Sequence, residues 1–232
     1  MAGTTSIRYR VRLRAFLALL ALLGVARVGA AEWEGNVYLG EGPTSVEDNV
    51  ERFGDVVVRD YRPKDTADVI GLRFTQWFPE RHWFGLAADI SVFDPMFDEV
   101  PPGQSHNGPS IVSFSALAMF RIRFLESVRF PVGRLEAYSG VGPALFWTHF
   151  NSRVRRPDGS IAYADDSSTD LGTDIRIGAR ARIDQTYGVF LEYRRAEYDT
   201  TLTGDGIRYS PTFKSEHLSL GLSFRFGHSG SE

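Results

Sequence analysis

The chain has 232 residues, 43% hydrophobic and 24% charged, with 23 glycines, 17 phenylalanines and no cysteine, a composition neither disordered nor collagen-like. Lacking cysteine, it has no thiol catalysis, Cys-ligated zinc, iron–sulfur cluster, disulfide or lipoprotein anchor. A formal charge of −3 is too balanced for nucleic-acid binding by counterion release, and a mean hydropathy of −0.19 argues against a bundle of membrane helices.

Residues 1–30 read as a secretory signal peptide. Arg8, Arg10, Arg12 and Arg14 form a basic region, residues 15–25 (AFLALLALLGV) an apolar run, and Val28, Gly29, Ala30 and Ala31 a cleavage region. The run is shorter than the ~20 residues with which a helix spans a bilayer. Removing residues 1–30 takes away five arginines and no acid, which moves the formal charge from −3 to −8. The mature chain is expected to be acidic and exported. Only Lys64 and Lys214 are lysines; the arginine bias suits fixed, desolvated ion pairs, and genomic GC content would produce it equally.

From Trp33 onward, period-two alternation recurs eight times, over residues 32–40, 66–78, 83–93, 110–124, 134–149, 170–184, 187–198 and 215–226. In the second segment Ile70, Leu72 and Phe74 oppose Gly71, Arg73 and Thr75; in the third Phe84, Leu86, Ala88 and Ile90 oppose Gly85, Ala87 and Asp89. The fourth sets Phe114, Ala116, Ala118, Phe120 and Ile122 against Ser113, Ser115, Arg121 and Arg123, with Leu117 and Met119 as exceptions. The sixth sets Leu171, Ile175, Ile177, Ala179 and Ala181 against Gly172, Asp174, Arg176, Arg180 and Arg182. The eighth sets Leu218, Leu220, Leu222, Phe224 and Phe226 against His217, Ser219, Ser223 and Arg225.

Periodicity alone leaves two architectures: a soluble barrel with the apolar face inside around a ligand, or an outer-membrane barrel with that face in lipid. Three features favour the second. Connections alternate long (41–65, 94–109, 150–169, 199–214) and short (79–82, 125–133, 185–186), as external loops and periplasmic turns do. Several segments reach the ~9–11 residues that cross a bilayer at a tilt. Aromatic residues crowd the ends beside the short turns, namely Trp77, Phe78, Trp83, Phe84, Phe124, Phe130, Tyr187, Phe224 and Phe226, as in an interfacial girdle. The expected fold is all-β: an eight-stranded antiparallel up-and-down transmembrane β-barrel over residues 31–226, with a polar tail at 227–232.

At this point the sequence resembles a known family. Eight alternating strands behind a signal peptide, Tyr138-Ser139-Gly140-Val141-Gly142-Pro143 in the fifth, Phe190-Leu191-Glu192-Tyr193-Arg194 in the seventh and the run from Leu218 to Phe226 in the last resemble the eight-stranded outer-membrane β-barrel superfamily. Its members include the transmembrane domain of outer-membrane protein A and the opacity-type surface antigens. The resemblance implies a fold and an outer-membrane location in a Gram-negative bacterium. The family usually ends on a terminal aromatic recognised by the insertion machinery, whereas here six residues follow Phe226. Phe224 and Phe226 are assigned to that signal.

Chemistry-bearing residues are sparse. His82, His106, His149, His217 and His228 show no two-His metal spacing, and loop acids such as Asp98, Glu99, Asp165, Asp166, Asp170, Asp199 and Asp205 show no calcium-loop spacing. No metal or other cofactor is expected. His217 and Ser219 share one face, with Glu192 available to orient the base, so a lipid-modifying barrel enzyme is the alternative to a structural or surface-interaction protein. Pro157-Asp158-Gly159 and Gly204-Asp205-Gly206 are turn signals, which predicts that the third and fourth external loops are β-hairpin extensions. Ile161, Tyr163, Tyr209 and Phe213 would decorate them.

The inward polar phase places Arg73, Arg121, Arg123, Arg176, Arg180, Arg182, Arg194 and Arg225 in the lumen with Asp89, Glu136, Asp174 and Glu192. An eight-stranded interior has room only for side chains, and buried charges must be paired. A Glu–Arg lattice plugging the barrel follows, with arginine in excess. The expected associates are outer-membrane lipid and lipopolysaccharide, the barrel-assembly machinery and an extracellular partner met through loops 150–169 and 199–214. Nucleic acid is not expected, and the barrel is expected to be monomeric.

Overall fold

The computed structural model describes residues 32–47, 50–53, 56–59, 66–95, 105–128, 130, 133–155, 161–204 and 207–226. The predicted signal peptide, the tail 227–232, Asp98, Glu99, His228, Pro157-Asp158-Gly159, Asp205 and Gly206 lie outside the described residues.

The strands in chain order are β1 (Glu32–Gly42), β2 (Thr44–Glu47), β3 (Val50–Phe53), β4 (Val56–Arg59), β5 (Ala67–Phe78), β6 (Arg81–Phe93), β7 (Ser105–Phe124), β8 (Leu135–Arg155), β9 (Ile161–Arg182), β10 (Tyr187–Asp199), β11 (Leu202–Gly204), β12 (Ile207–Tyr209) and β13 (Thr212–Phe226). The order β1-β5-β6-β7-β8-β9-β10-β13 closes through β1–β13 into an eight-stranded antiparallel barrel, with β2 added beside β13. Every neighbour in the barrel pairs antiparallel. Closure matters because lipid offers no partner to an unpaired backbone edge.

The first loop, 41–65, contains structure that alternation does not reveal. Its strands β3 and β4 join β12 and β11 in a second, four-stranded sheet, β11-β12-β3-β4. The third loop is a hairpin extension, paired as far as Arg155 opposite Ile161, and the fourth carries the separate β11–β12 hairpin.

The short turns have local causes. Asp184 Oδ1 accepts the backbone N–H of Thr186 at 2.7 Å and of Tyr187 at 2.6 Å, an aspartate turn that returns β9 to β10. Gly133 has φ +84°, and a Cβ there would stand 2.9 Å from the Phe124 carbonyl oxygen, so both conformation and space demand glycine.

Strand parity sends the apolar set outward. Leu72, Phe74, Ile90, Phe114, Ile175, Leu220 and Leu222 are exposed on the exterior, and Leu86 is half-buried there. Burying polar residues and exposing aliphatic ones inverts the soluble pattern and requires an apolar medium around the barrel. Trp83 stacks on Phe120 at 6.1 Å, Phe78 on Phe84 at 5.6 Å, and Tyr187 meets Phe224 edge-on at 5.5 Å. These rings form the girdle beside the short turns. Two residues assigned to it sit elsewhere: Phe130 is buried, and Trp77 is 1% exposed. Trp77 shares inward parity with Arg73 and Thr75, whereas Phe78, in phase with Leu72 and Phe74, comes out beside the bulge between Trp77 and Phe78.

Candidate functional site

The lumen is the chemically richest part of the molecule. Eight arginines, Arg73, Arg121, Arg123, Arg176, Arg180, Arg182, Arg194 and Arg225, meet six carboxylates there, Glu32, Glu34, Asp89, Glu136, Asp174 and Glu192. The strands bring these together because inward positions of β1, β5, β6, β7, β8, β9, β10 and β13 converge on one narrow axis.

At the periplasmic mouth the Glu32 carboxylate accepts both terminal nitrogens of Arg121, at 2.8 and 2.9 Å, Arg123 at 2.7 Å and Nε of Arg225 at 2.7 Å. Arg121 also lies 3.8 Å over the Trp77 ring, a cation–π contact that explains why this tryptophan turns inward. One level deeper, Arg180 bridges Glu34 and Glu136, the latter at 2.5 Å, and Arg182 reaches Glu136 at 3.4 Å.

In the middle, Arg176 binds Asp89 at 2.7 Å, Asp174 at 2.9 Å and Glu192 at 3.2 Å. Glu192 also pairs with Arg73. Tyr38 donates to Asp89 at 2.9 Å, and its ring fits because Gly71 faces it, where a Cβ would lie 2.3 Å from the phenol. Above this, Arg194 binds Asp174 at 2.9 Å and donates to Ser91 and Ser113, at 2.5 and 2.8 Å.

The extracellular end of the lumen is different in kind. Phe146 stacks on Tyr198 at 4.2 Å, Tyr198 on Phe213 at 5.3 Å, and Thr148 and Tyr198 share a 2.8 Å hydrogen bond. Phe93, Ile111 and Val69 are buried with them. The lumen is therefore an ion lattice capped by an aromatic layer, not polar throughout. Phe213, assigned to a loop hairpin, belongs to this layer at 0% exposure.

His217 is wholly buried beside Phe93, ring centroids 5.2 Å apart. Both its ring nitrogens lack a hydrogen-bond partner among the described residues, and Glu192 is engaged by Arg73 and Arg176. The geometry thus does not assemble His217, Ser219 and Glu192 into a nucleophile, base and orienting acid. His82 donates from Nδ1 to the Pro79 carbonyl oxygen, 3.0 Å away, and His149 stacks on Trp147 at 6.2 Å; the His106 side chain lies outside the described residues. Among the described residues no group of three metal-ligating side chains exists.

Glu32, Glu34, Asn36 and Tyr38 were not assigned to the lumen from sequence. Their signal was available in the parity of β1, where Trp33, Val37 and Leu39 alternate with them.

No protein-family model and no curated protein sequence matches the chain. Solved structures do. Neisserial surface protein A matches at 12% identity over 85% of this chain and 99% of that one, with a TM-score of 0.53. Outer membrane protein OprG from Pseudomonas aeruginosa matches at 12% identity over 87% of this chain and 98% of that one, with a TM-score of 0.54. At such identity the likeness is one of fold. Together with the apolar exterior, it makes this chain an eight-stranded barrel of the outer-membrane type, embedded in the cell outer membrane.

Proposed function

We propose that the protein is a non-conducting outer-membrane barrel with a structural or surface-interaction role, and not an enzyme. One observation carries this reading: the lumen is filled from end to end, with Arg73, Arg176, Arg194, Phe93, Phe146 and Phe213 all at 0–1% exposure. A pore would need wetted walls, and a buried catalytic centre would need room for substrate. The rigid body then serves to hold the β8–β9 hairpin and the β3–β4 and β11–β12 strands outside the cell. An extracellular partner would engage loops 150–169 and 199–214, and outer-leaflet lipopolysaccharide would surround a monomeric barrel.

Planar-bilayer recordings of the refolded barrel are expected to show no steady conductance, and its gel mobility in SDS to change on boiling. Stable, ion-selective channels of uniform size would overturn this reading and make the protein a pore. Covalent capture on intact cells with photocrosslinkers in the two loops identifies the partner.

Assembly makes a separate expectation. Phe226 is exposed and Phe224 half-buried on the outer face, where an insertion machinery would read them. The Phe224→Ser, Phe226→Ser double variant is expected to fail surface assembly, while deletion of 227–232 leaves it intact. Protease accessibility of the loops on whole cells measures both, and normal assembly of the double variant would remove Phe224 and Phe226 from this role.

A further inference from the structure

Charge is unevenly distributed along the lumen. Above the mouth, Arg73, Arg176, Arg180 and Arg194 are matched by Glu34, Asp89, Asp174 and Glu192. The excess therefore sits entirely at the periplasmic mouth, where Arg121, Arg123, Arg182 and Arg225 share Glu32 and Glu136.

The two acids there have little left to offer. Both oxygens of Glu32 are taken by Arg121, Arg123 and Arg225, which fills the acceptor capacity of one carboxylate. Glu136 gives one oxygen to Arg180 at 2.5 Å and the other to Arg182 at 3.4 Å. Arg182 stands 3.9 Å from Glu32, and Arg123 Nε 3.9 Å from Glu136, beyond hydrogen-bond distance. Nε of Arg123 and Nε of Arg182 are buried donors without an acceptor among the described residues, as are Nε of Arg73, Arg180 and Arg194 deeper in the lumen. The nearby turn acid Asp184 is committed to its own backbone, through Thr186 and Tyr187. Unlike the groups above it, the mouth is open to solvent: the Arg123 and Arg225 side chains are 15% and 10% exposed.

We propose that this mouth is a binding site for a phosphate-class oxyanion, held by Arg123, Arg182 and Arg225 around the Glu32 hub. A tetrahedral oxyanion supplies several acceptor oxygens to guanidinium forks at once and offsets the surplus positive charge. Its position beside the short turns, one residue before the exposed Phe124 on β7, leaves two sources of the same chemistry: free phosphate in the periplasm, or the headgroup phosphate of an inner-leaflet lipid.

The test follows the arginine Nε–H resonances of the intact barrel in nonionic micelles prepared without phosphate. Inorganic phosphate is titrated in one arm, a short-chain phosphatidylglycerol in a second, and chloride at matched ionic strength in a third. Saturable shifts of the Arg123 and Arg182 signals in either of the first two arms, absent with chloride, are expected. A response to phosphate assigns the free ion, and a response to the lipid alone assigns the headgroup. Arg123→Gln and, independently, Arg182→Gln remove their own signals and weaken binding at the other by about tenfold or more. Absence of saturation in both arms of the parent, or equal shifts with chloride, overturns the proposal even if a variant fails to fold.

Discussion

Arg176→Met is expected to destabilise the folded barrel by about 3–5 kcal/mol, the largest loss from a single side chain in the lumen. Arg176 lies on β9 with Asp89 of β6, Asp174 of its own strand and Glu192 of β10 all within 3.2 Å. Methionine keeps much of the length but leaves three carboxylates facing one another without a cation. Breaking a buried pair costs more than the pair contributes relative to an apolar replacement of both partners, because the remaining charge stays desolvated. Glu192→Gln is the milder counterpart, expected to cost roughly 1–3 kcal/mol, since the amide oxygen still accepts from Arg73 or Arg176. Urea unfolding in lipid vesicles, followed by tryptophan fluorescence and gel mobility, ranks the three proteins. An Arg176→Met barrel that unfolded at the parent's midpoint would show that the lattice contributes nothing to stability.

On the opposite face, Leu220→Arg is expected to cost ~2–4 kcal/mol in a bilayer. Leu220 lies on β13 between Leu39 of β1 and Leu191 of β10, 60% exposed to what surrounds the barrel. An arginine there must sit in hydrocarbon or drag water and headgroups inward. The same change at Phe226, at the strand's periplasmic end, is expected to cost far less, because interfacial positions tolerate charge. Refolding stability in vesicles separates the two. Equal stability of parent and Leu220→Arg would reverse the assignment of inside and outside.

The barrel was legible in the sequence because its medium enforces a two-residue period on every spanning strand. Parity at Ile70, Leu72 and Phe74, or at Leu218, Leu220 and Leu222, needs no knowledge of partners. Trp77 was misread for a physical reason: an indole near a short turn suits the interface as well as it suits a guanidinium, and only its phase with Arg73 separates the two. The aromatic cap escaped because Phe146, Tyr198 and Phe213 come from three strands, and nothing local marks their stacking. Likewise β3 is four residues long and its partner β12 lies far along the chain, so the second sheet has no signal within any window. Glu32 and Glu34 share the lumen phase of β1, which Trp33, Val37 and Leu39 mark as plainly as the aliphatic residues do in the longer strands.

The meeting of the first and last barrel strands bears on time as well as on strength. Glu32 and Arg225 are joined across 193 positions of sequence, so this closure has the highest contact order in the fold and is expected to be the slow step of assembly. The same line of contact continues outside the membrane, where Glu216 N–H donates to the Pro43 carbonyl at 2.9 Å, β2 pairs with β13 and β3 with β12. Peeling the barrel open therefore requires rupture in lipid and in water before either half can relax. A protein built this way is expected to unfold slowly, with its working lifetime on the cell surface set by how seldom both halves of that zipper part together.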